Sequence, residues 1–375
     1  PNAPGRLALP LIRRARDFHL YDDKGRRYLD LYQNGGRAIL SHRPQGIGKA
    51  LKAAISQGLY GDFPSSYPRR LELALARLLP GYPTVRVYTT VERGLAAVGA
   101  ALGGTDMGPG SAGEGPAGPA APGAARVGAG SVGAGRAGPA SDSGAAGSGA
   151  AAPRMPGSRG RVPDPALGES PQAVEDGFRM SWWRPFLPES SPHGGAAGLS
   201  SDMLLPVLPF PASFAPQVVC AVEGVELPPS DSVSPVLLAG LVQAAHVLAG
   251  VLVAEGGRAA AGGGTTTEGP DAGSGGGDSA VVGARASRHG PSNRDRGAVV
   301  DPVGEFDPAE LGLWRRRGPY LELLCSPERF TEVFALFLEH DILINPRYPG
   351  PSILPRWCSK GEFEKFGKVS RMADS

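Results

Sequence analysis

The chain has 375 residues, with 38 Lys plus Arg against 36 Asp plus Glu and a formal net charge of +2, so it carries no electrostatic footprint for nucleic acid or an acidic membrane surface. Its three cysteines, Cys220, Cys325 and Cys358, are too few and too far apart for a disulfide framework or a paired-cysteine metal site, and six histidines at non-ligand spacing argue against a metal. The first residues lack a charged-then-apolar leader pattern, and a soluble cytoplasmic protein is expected.

In chain order, FHLYDDKGRRYLDLY places two β-prone runs around Asp22-Asp23-Lys24-Gly25, which predicts a hairpin. The run GIGKALKAAISQGLYG sets Ile47, Leu51, Ala54 and Ile55 on one helix face, closed by Gly58 or Gly61. YPRRLELALARLLPGYP predicts a second helix, with Leu71, Ala74, Leu75 and Leu78 facing a sheet. TVRVYTT reads as a strand and VERGLAAVGAAL as a helix starting directly from it.

Residues 103–161 are Gly, Ala, Pro and Ser with almost no large apolar side chain, which predicts disorder; 256–300 is expected to be a second such linker. A GxGxxG match at Gly128, Gly130 and Gly133 has no strand before it or helix after it and carries no dinucleotide argument. Buried strands are expected at 203–208 and 217–222. The longest apolar stretch, SPVLLAGLVQAAHVLAGVLVAE, is interrupted by Gln243 and His246 and reads as a buried helix from Pro235 to about Glu255, too broken for the ~18 apolar residues of a membrane span. The last block predicts strands at 319–324 and 341–345 around a helix that turns Phe330, Val333, Phe334 and Phe337 inward.

Both ends of the chain resemble the class-III aminotransferases, the fold-type-I pyridoxal-phosphate group that includes glutamate-1-semialdehyde aminomutase. The resemblance is carried by Tyr21-Asp22-Asp23-Lys24-Gly25, Tyr28-Leu29-Asp30, Gly35-Gly36 and Ser41-His42-Arg43-Pro44, with Ser41 where that family usually has glycine. FALFLEHDILINPRYPGPSILP and SKGE near the end resemble the family's small domain, and SPVLLAGLVQAAHVL a helix of its large domain. This implies an α/β fold with a mostly parallel sheet flanked by helices on both faces, plus a small α+β domain built from both chain ends. Residues 1–62 and 301–375 would supply the small domain, and 63–102 and 162–255 the large one.

The family's reaction is pyridoxal-phosphate-dependent amino-group transfer, usually in a homodimer. In this sequence TTVERGLAAVGAAL stands where family members hold the cofactor phosphate, so Thr89 and Thr90 are its candidate ligands, or simply helix caps. Arg184, in SWWRPFLP, and Arg356, after PSILP, are candidate receptors for a substrate carboxylate; Arg184 and its aromatic neighbours equally suit interface packing. His42 is either ligand-facing or a partner of local backbone groups. The strand MLLPVLPFP lacks the acid that would protonate the pyridine ring, leaving Asp202 and Asp231 as distant candidates. No lysine occurs between Lys52 and Lys360, so the group that would carry the cofactor is missing where the resemblance requires it, and no catalytic residue is assigned. Two expectations follow: a catalytically compromised aminotransferase relative, or a non-catalytic protein that binds a small carboxylate or phosphorylated metabolite on that scaffold.

Overall fold

The computed structural model describes residues 7, 9–61, 63–101, 162–170, 172–173, 179–187, 201–261, 299–300 and 312–374. Most of the two Gly- and Ala-rich stretches, including the GxGxxG match, lies outside them. The chain runs β1 (Ile12–Arg16), β2 (His19–Asp22), β3 (Arg27–Asp30), α1 (Ile47–Ser56), α2 (Tyr67–Leu78), β4 (Thr84–Tyr88) and α3 (Val91–Ala101). It continues with β5 (Gln172–Ala173), β6 (Arg179–Trp183), β7 (Met203–Pro206), β8 (Gln217–Ala221) and α4 (Pro235–Ala261). After β9 (Val299–Val300) come β10 (Trp314–Arg317), β11 (Tyr320–Leu323), α5 (Pro327–Glu339), β12 (Ile342–Leu343), β13 (Ser352–Ile353), β14 (Cys358–Ser359) and α6 (Lys360–Asp374).

The predicted hairpin forms between β2 and β3. Asp22 Oδ1 accepts from the backbone N–H groups of Lys24 (3.0 Å) and Arg26 (2.8 Å), and Gly25 takes a φ of +82°, which glycine adopts without steric cost. β12 joins β3 in parallel, pairing Ile342 with Leu29, so segments near both chain ends contribute to one four-stranded sheet of order β1-β2-β3-β12. α5 packs there through Phe330, Val333, Phe334 and Phe337, as its spacing predicts, against Trp314 and Phe366. α6 opens with a reciprocal cap. Ser359 Oγ accepts from Glu362 N–H (3.3 Å), and the Glu362 carboxylate accepts from Ser359 N–H (3.0 Å).

The larger sheet has the order β4-β8-β7-β6-β5. β4, β6 and β7 run in one sense and β8 and β5 in the other, so β6–β7 is its one parallel contact among the described residues. The expected mostly parallel sheet is therefore mixed: β8 inserts between two strands of common direction, and strand sense depends on connections a sequence pattern does not encode. Helices cover both faces, as expected. Val218 and Cys220 point toward α1, α2 and α4, and Val219 and Ala221 toward α3, the period-two alternation of a strand buried on both sides.

Leu71, Leu75 and Leu78 are at most 1% exposed, in a core shared by Leu241 and Ala245 of α4 and Val85 and Val218 of the sheet. Each such burial contributes about 1.5–3 kcal/mol. Two sequence expectations need correction. Ile55 is 40% exposed, because α1 turns only Ile47 and Ala54 fully inward against α4. Over Pro235–Glu255, α4 is long and apolar enough by length and composition to cross a membrane, despite Gln243 and His246, with half of its most apolar window buried inside the fold.

Candidate functional site

At one edge of the larger sheet, β4, β6 and β7 reach their carboxyl ends and β8 begins, with Tyr88 opposite Gln217. Open α/β sheets bind ligands at such an edge. The loop after β3 folds over it. Asp30, 1% exposed, accepts from the backbone N–H of Tyr32 (2.9 Å) and Gln33 (3.0 Å) through Oδ1 and pairs with His42 Nε2 through Oδ2 (2.7 Å). These bonds hold four consecutive positive-φ residues: Gln33 (45°), Asn34 (50°), Gly35 (66°) and Gly36 (103°). Side chains other than glycine adopt this region at a cost of about 1–2 kcal/mol. Gly36 is required for a second reason, since a Cβ there would sit 3.2 Å from Arg184 Nη1. Ser41, in the place the resemblance gives to glycine, also has positive φ, at 94°.

The turn delivers Arg37 to the sheet edge, where it is 7% exposed and donates from Nη2 to Gln217 Oε1 at 3.3 Å. Gln217 is fixed in that orientation, because its Nε2 donates to Val218 O at 2.7 Å. Arg184 follows directly after β6 and is 1% exposed. Its Nε and Nη2 donate to Asp164 Oδ1 (2.7 Å) and Oδ2 (2.6 Å), and its Nη1 to Gly35 O (2.7 Å). The guanidinium also lies over the Tyr320 ring, with its carbon 5.5 Å from the centroid. Arg184 therefore spends its fork on Asp164 instead of offering it to a carboxylate ligand. Burial, then the neighbouring Arg184 charge, pushes the Arg37 pKa down to about 10, so Arg37 is cationic at neutral pH.

The start of α3 is also engaged. Thr90 Oγ1 caps the helix by accepting from Arg93 N–H at 3.2 Å. Thr89 donates through both its backbone N–H and its hydroxyl to Asp231 Oδ2, each at 2.9 Å, and Arg93 Nη2 donates to Asp231 Oδ1 at 2.8 Å. Hydrogen bonds from Arg93 and from the Thr89 backbone hold the Asp231 carboxyl well below the usual carboxylate range. Thus Thr89 meets an anion at this helix start, the protein's own Asp231, while Thr90 caps the helix. Beyond Asp231 lies a cleft of about 440 Å³ bounded by Phe63, Pro64, Pro68, Val87 and Ser230.

Arg356 pairs with Glu255 at 2.5 Å and lies over the Phe186 ring. The His42 ring pairs with the Asp30 carboxylate, instead of the backbone groups or the ligand expected from sequence. Trp182 and Trp183 are buried on opposite faces of the sheet, which makes them packing residues. Asp202 accepts from Arg179 N–H (2.6 Å), at the start of β6 and so at the opposite edge. Of the six lysines, Lys24, Lys49, Lys52, Lys360 and Lys368 are exposed and Lys365 pairs with Asp341. No metal-holding cluster of His, Cys, Asp and Glu occurs among the described residues. Arg37, Gln217 and Asp164 were not singled out from sequence. The Gly35-Gly36 pair ahead of Arg37 was the available signal, because a glycine pair marks backbone that presents the next side chain unusually closely.

The fold this edge belongs to is aminotransferase-like. Solved structures that match nearly the whole chain include a transaminase with PLP bound (TM-score 0.55, 14% identity, 100% of this chain and 93% of that one). A second is a glutamate-1-semialdehyde aminomutase of Pseudomonas aeruginosa in complex with PMP (TM-score 0.53, 14% identity, 97% and 87%). Among curated proteins, a glutamate-1-semialdehyde 2,1-aminomutase of Heliobacterium modesticaldum is 37% identical over 93 residues, 24% of this chain and 20% of the relative. An uncharacterised protein of Borreliella burgdorferi is 52% identical over 59 residues, 16% of this chain and 22% of the relative. The matched stretches thus span about a fifth of these relatives. No protein-family profile matches the chain.

Proposed function

We propose that this chain is an aminotransferase-scaffold protein that binds a small ligand without forming a lysine-linked cofactor, and so does not carry out the amino-group transfer of the enzymes it resembles. The observation that carries the reading is the missing lysine: none occurs from Ala53 to Ser359, which includes every element of the larger sheet. Arginine does not replace it, since it stays protonated and is a poor nucleophile.

Two features of the edge support the same reading. The helix start suited to a phosphate is filled by Asp231, so a second anion meets both repulsion and donors already in use. The strand β7 and the residues after it, MLLPVLPFP, carry no acid that could keep a pyridine nitrogen protonated. Pyridoxal phosphate is the cofactor the resemblance implies, and docked at this edge it would be held without a link to a lysine of the larger sheet. A homodimer and a cytoplasmic location remain part of the proposal through the resemblance.

The test is chemical. Protein incubated with pyridoxal phosphate and reduced with borohydride is digested and examined by mass spectrometry for a pyridoxyl group. The reading predicts no stoichiometric modification of any one lysine. A single fully modified lysine, lost together with the adduct when that residue becomes alanine, would overturn it.

A further inference from the structure

The four-stranded sheet of order β1-β2-β3-β12 ends on β1, which has a strand neighbour on one side only among the described residues. Its outer side presents backbone N–H and C=O groups with no ladder to join, the template on which a further strand pairs. Ile12, Arg13, Arg14 and Arg16 are all exposed, and so are Leu9 and Leu11 just ahead of them. The strand, IRRAR, carries three arginines and no acid. Over residues 12–30 six basic side chains stand against four acidic ones, so the excess sits on β1. Two of those acids are buried and engaged locally: Asp22 accepts from the turn backbone and from the Tyr28 hydroxyl (3.1 Å), and Asp30 pairs with His42. Asp23 lies at the strand's beginning, where its N–H donates to Leu11 O at 3.0 Å, and Asp17 follows its end, 3.5 Å from Arg16. Arg14 is held over the Tyr21 ring, its guanidinium carbon 4.2 Å from the centroid. Arg13 falls at the register shift between Ile12 and Arg14 and has no opposite number in β2.

We propose that the free edge of β1 docks an extended acidic segment of a partner protein, which adds to the sheet as a further strand. The main-chain groups of β1 supply the pairing, and its arginines select the partner. A second copy of β1 is the wrong occupant. In parallel register it would set each arginine against itself, and antiparallel pairing about the strand's middle would set Arg14 against Arg14; like charges directly opposite destabilise a sheet. A strand that alternates acidic with β-branched apolar residues reverses the sign of that term. Arg14 and Arg16 lie two residues apart on one face, so carboxylates at the same spacing meet both. The exposed Leu11 and Ile12 give the apolar residues of the partner something to cover. This surface lies on a different sheet from the one the lysine argument concerns, so the two proposals stand or fall separately.

The test uses the full chain and a labelled, end-blocked heptapeptide of alternating glutamate and valine. Its controls are the same peptide with N-methylated backbone amides, a lysine–valine peptide, and a single-stranded oligonucleotide. Binding is followed by fluorescence anisotropy, and hydrogen exchange over residues 11–17 by mass spectrometry. The acidic peptide is expected to bind saturably, to slow exchange over those residues, and to bind more weakly as salt rises. Charge reversal by Arg13→Glu together with Arg14→Glu is expected to weaken binding by about tenfold or more. Arg16→Glu alone and the salt dependence of the parent chain supply the readout if that double variant does not fold. No saturable binding, or equal binding of the N-methylated or lysine–valine peptide, would overturn the proposal. So would binding that leaves exchange over residues 11–17 unchanged, an affinity the arginine variants do not alter, or an oligonucleotide that binds as tightly as the acidic peptide.

Discussion

Replacing Asp164 by alanine removes the counter-ion of a guanidinium that water does not reach. Arg184 and Asp164 have side chains 1% and 3% exposed and are joined by two hydrogen bonds of 2.7 and 2.6 Å. Breaking such a pair from one side typically costs about 3–5 kcal/mol, because the remaining charge is buried without compensation. Asp164 Oδ1 also accepts from Ala166 N–H (3.1 Å) at the start of a short helical turn, which adds about 1 kcal/mol. The two effects sum to roughly 4–6 kcal/mol, or about 8–24 °C in melting temperature at 2–4 °C per kcal/mol. Urea unfolding followed by circular dichroism measures the loss. The double variant Asp164→Ala with Arg184→Met separates charge from packing: it removes the stranded cation and should recover at least half of the single variant's loss. A single-variant loss under about 1 kcal/mol, or a double variant less stable than the single one, would refute the assignment of Arg184 to a structural pair.

Three further outcomes are expected. Burial alone would push the Glu362 carboxyl up, but hydrogen bonds from His19 (2.8 Å) and Ser359 outweigh it and carry the pKa down to about 2. The stability this supplies is complete above the ordinary carboxylate value of about 4.3 and is lost as pH falls toward 2, so Glu362→Gln should cost about 3 kcal/mol at pH 7 and far less at pH 2.5; an equal cost at both pH values would contradict it. A Cβ at Gly240 would meet Phe210 at 2.2 Å and Leu51 at 2.9 Å, so Gly240→Ala should destabilise by about 1–3 kcal/mol although alanine is the better helix former, and a rise in melting temperature would disprove the close α1–α4 contact. Asp231→Ala frees the Thr89 N–H and hydroxyl at the start of α3, so calorimetry should show inorganic phosphate binding that the parent lacks; identical titrations would mean that Asp231 does not close this end of the helix.

The parts of the fold that could be read from sequence are those set by neighbours in the chain. Asp22 to Gly25 makes its own turn, and the 3.6-residue spacing of Leu71, Leu75 and Leu78, or of Phe330, Phe334 and Phe337, places those side chains inward. The site was legible only in outline. Arg184 could be singled out, but Asp164 lies 20 residues away beside Gly- and Ala-rich sequence, and it decides whether Arg184 is free or spent. Thr89 and Thr90 were visible at a helix start, yet Asp231, the partner of Thr89, is 142 residues away. Charge pairing across the fold has no periodicity to betray it. The reversed sense of β8 escapes for a similar reason: its alternating burial is the same whichever way the strand runs.

The central claim is that this scaffold does not link a cofactor to a lysine. Its most direct test is the visible absorbance of the full-length protein during titration with pyridoxal phosphate. An internal imine absorbs there and loses that band on borohydride reduction. The account predicts a spectrum equal to the sum of free protein and free pyridoxal phosphate at every ratio, before and after reduction. A saturable visible band at one equivalent per chain, abolished by borohydride and by changing a single lysine, would contradict it.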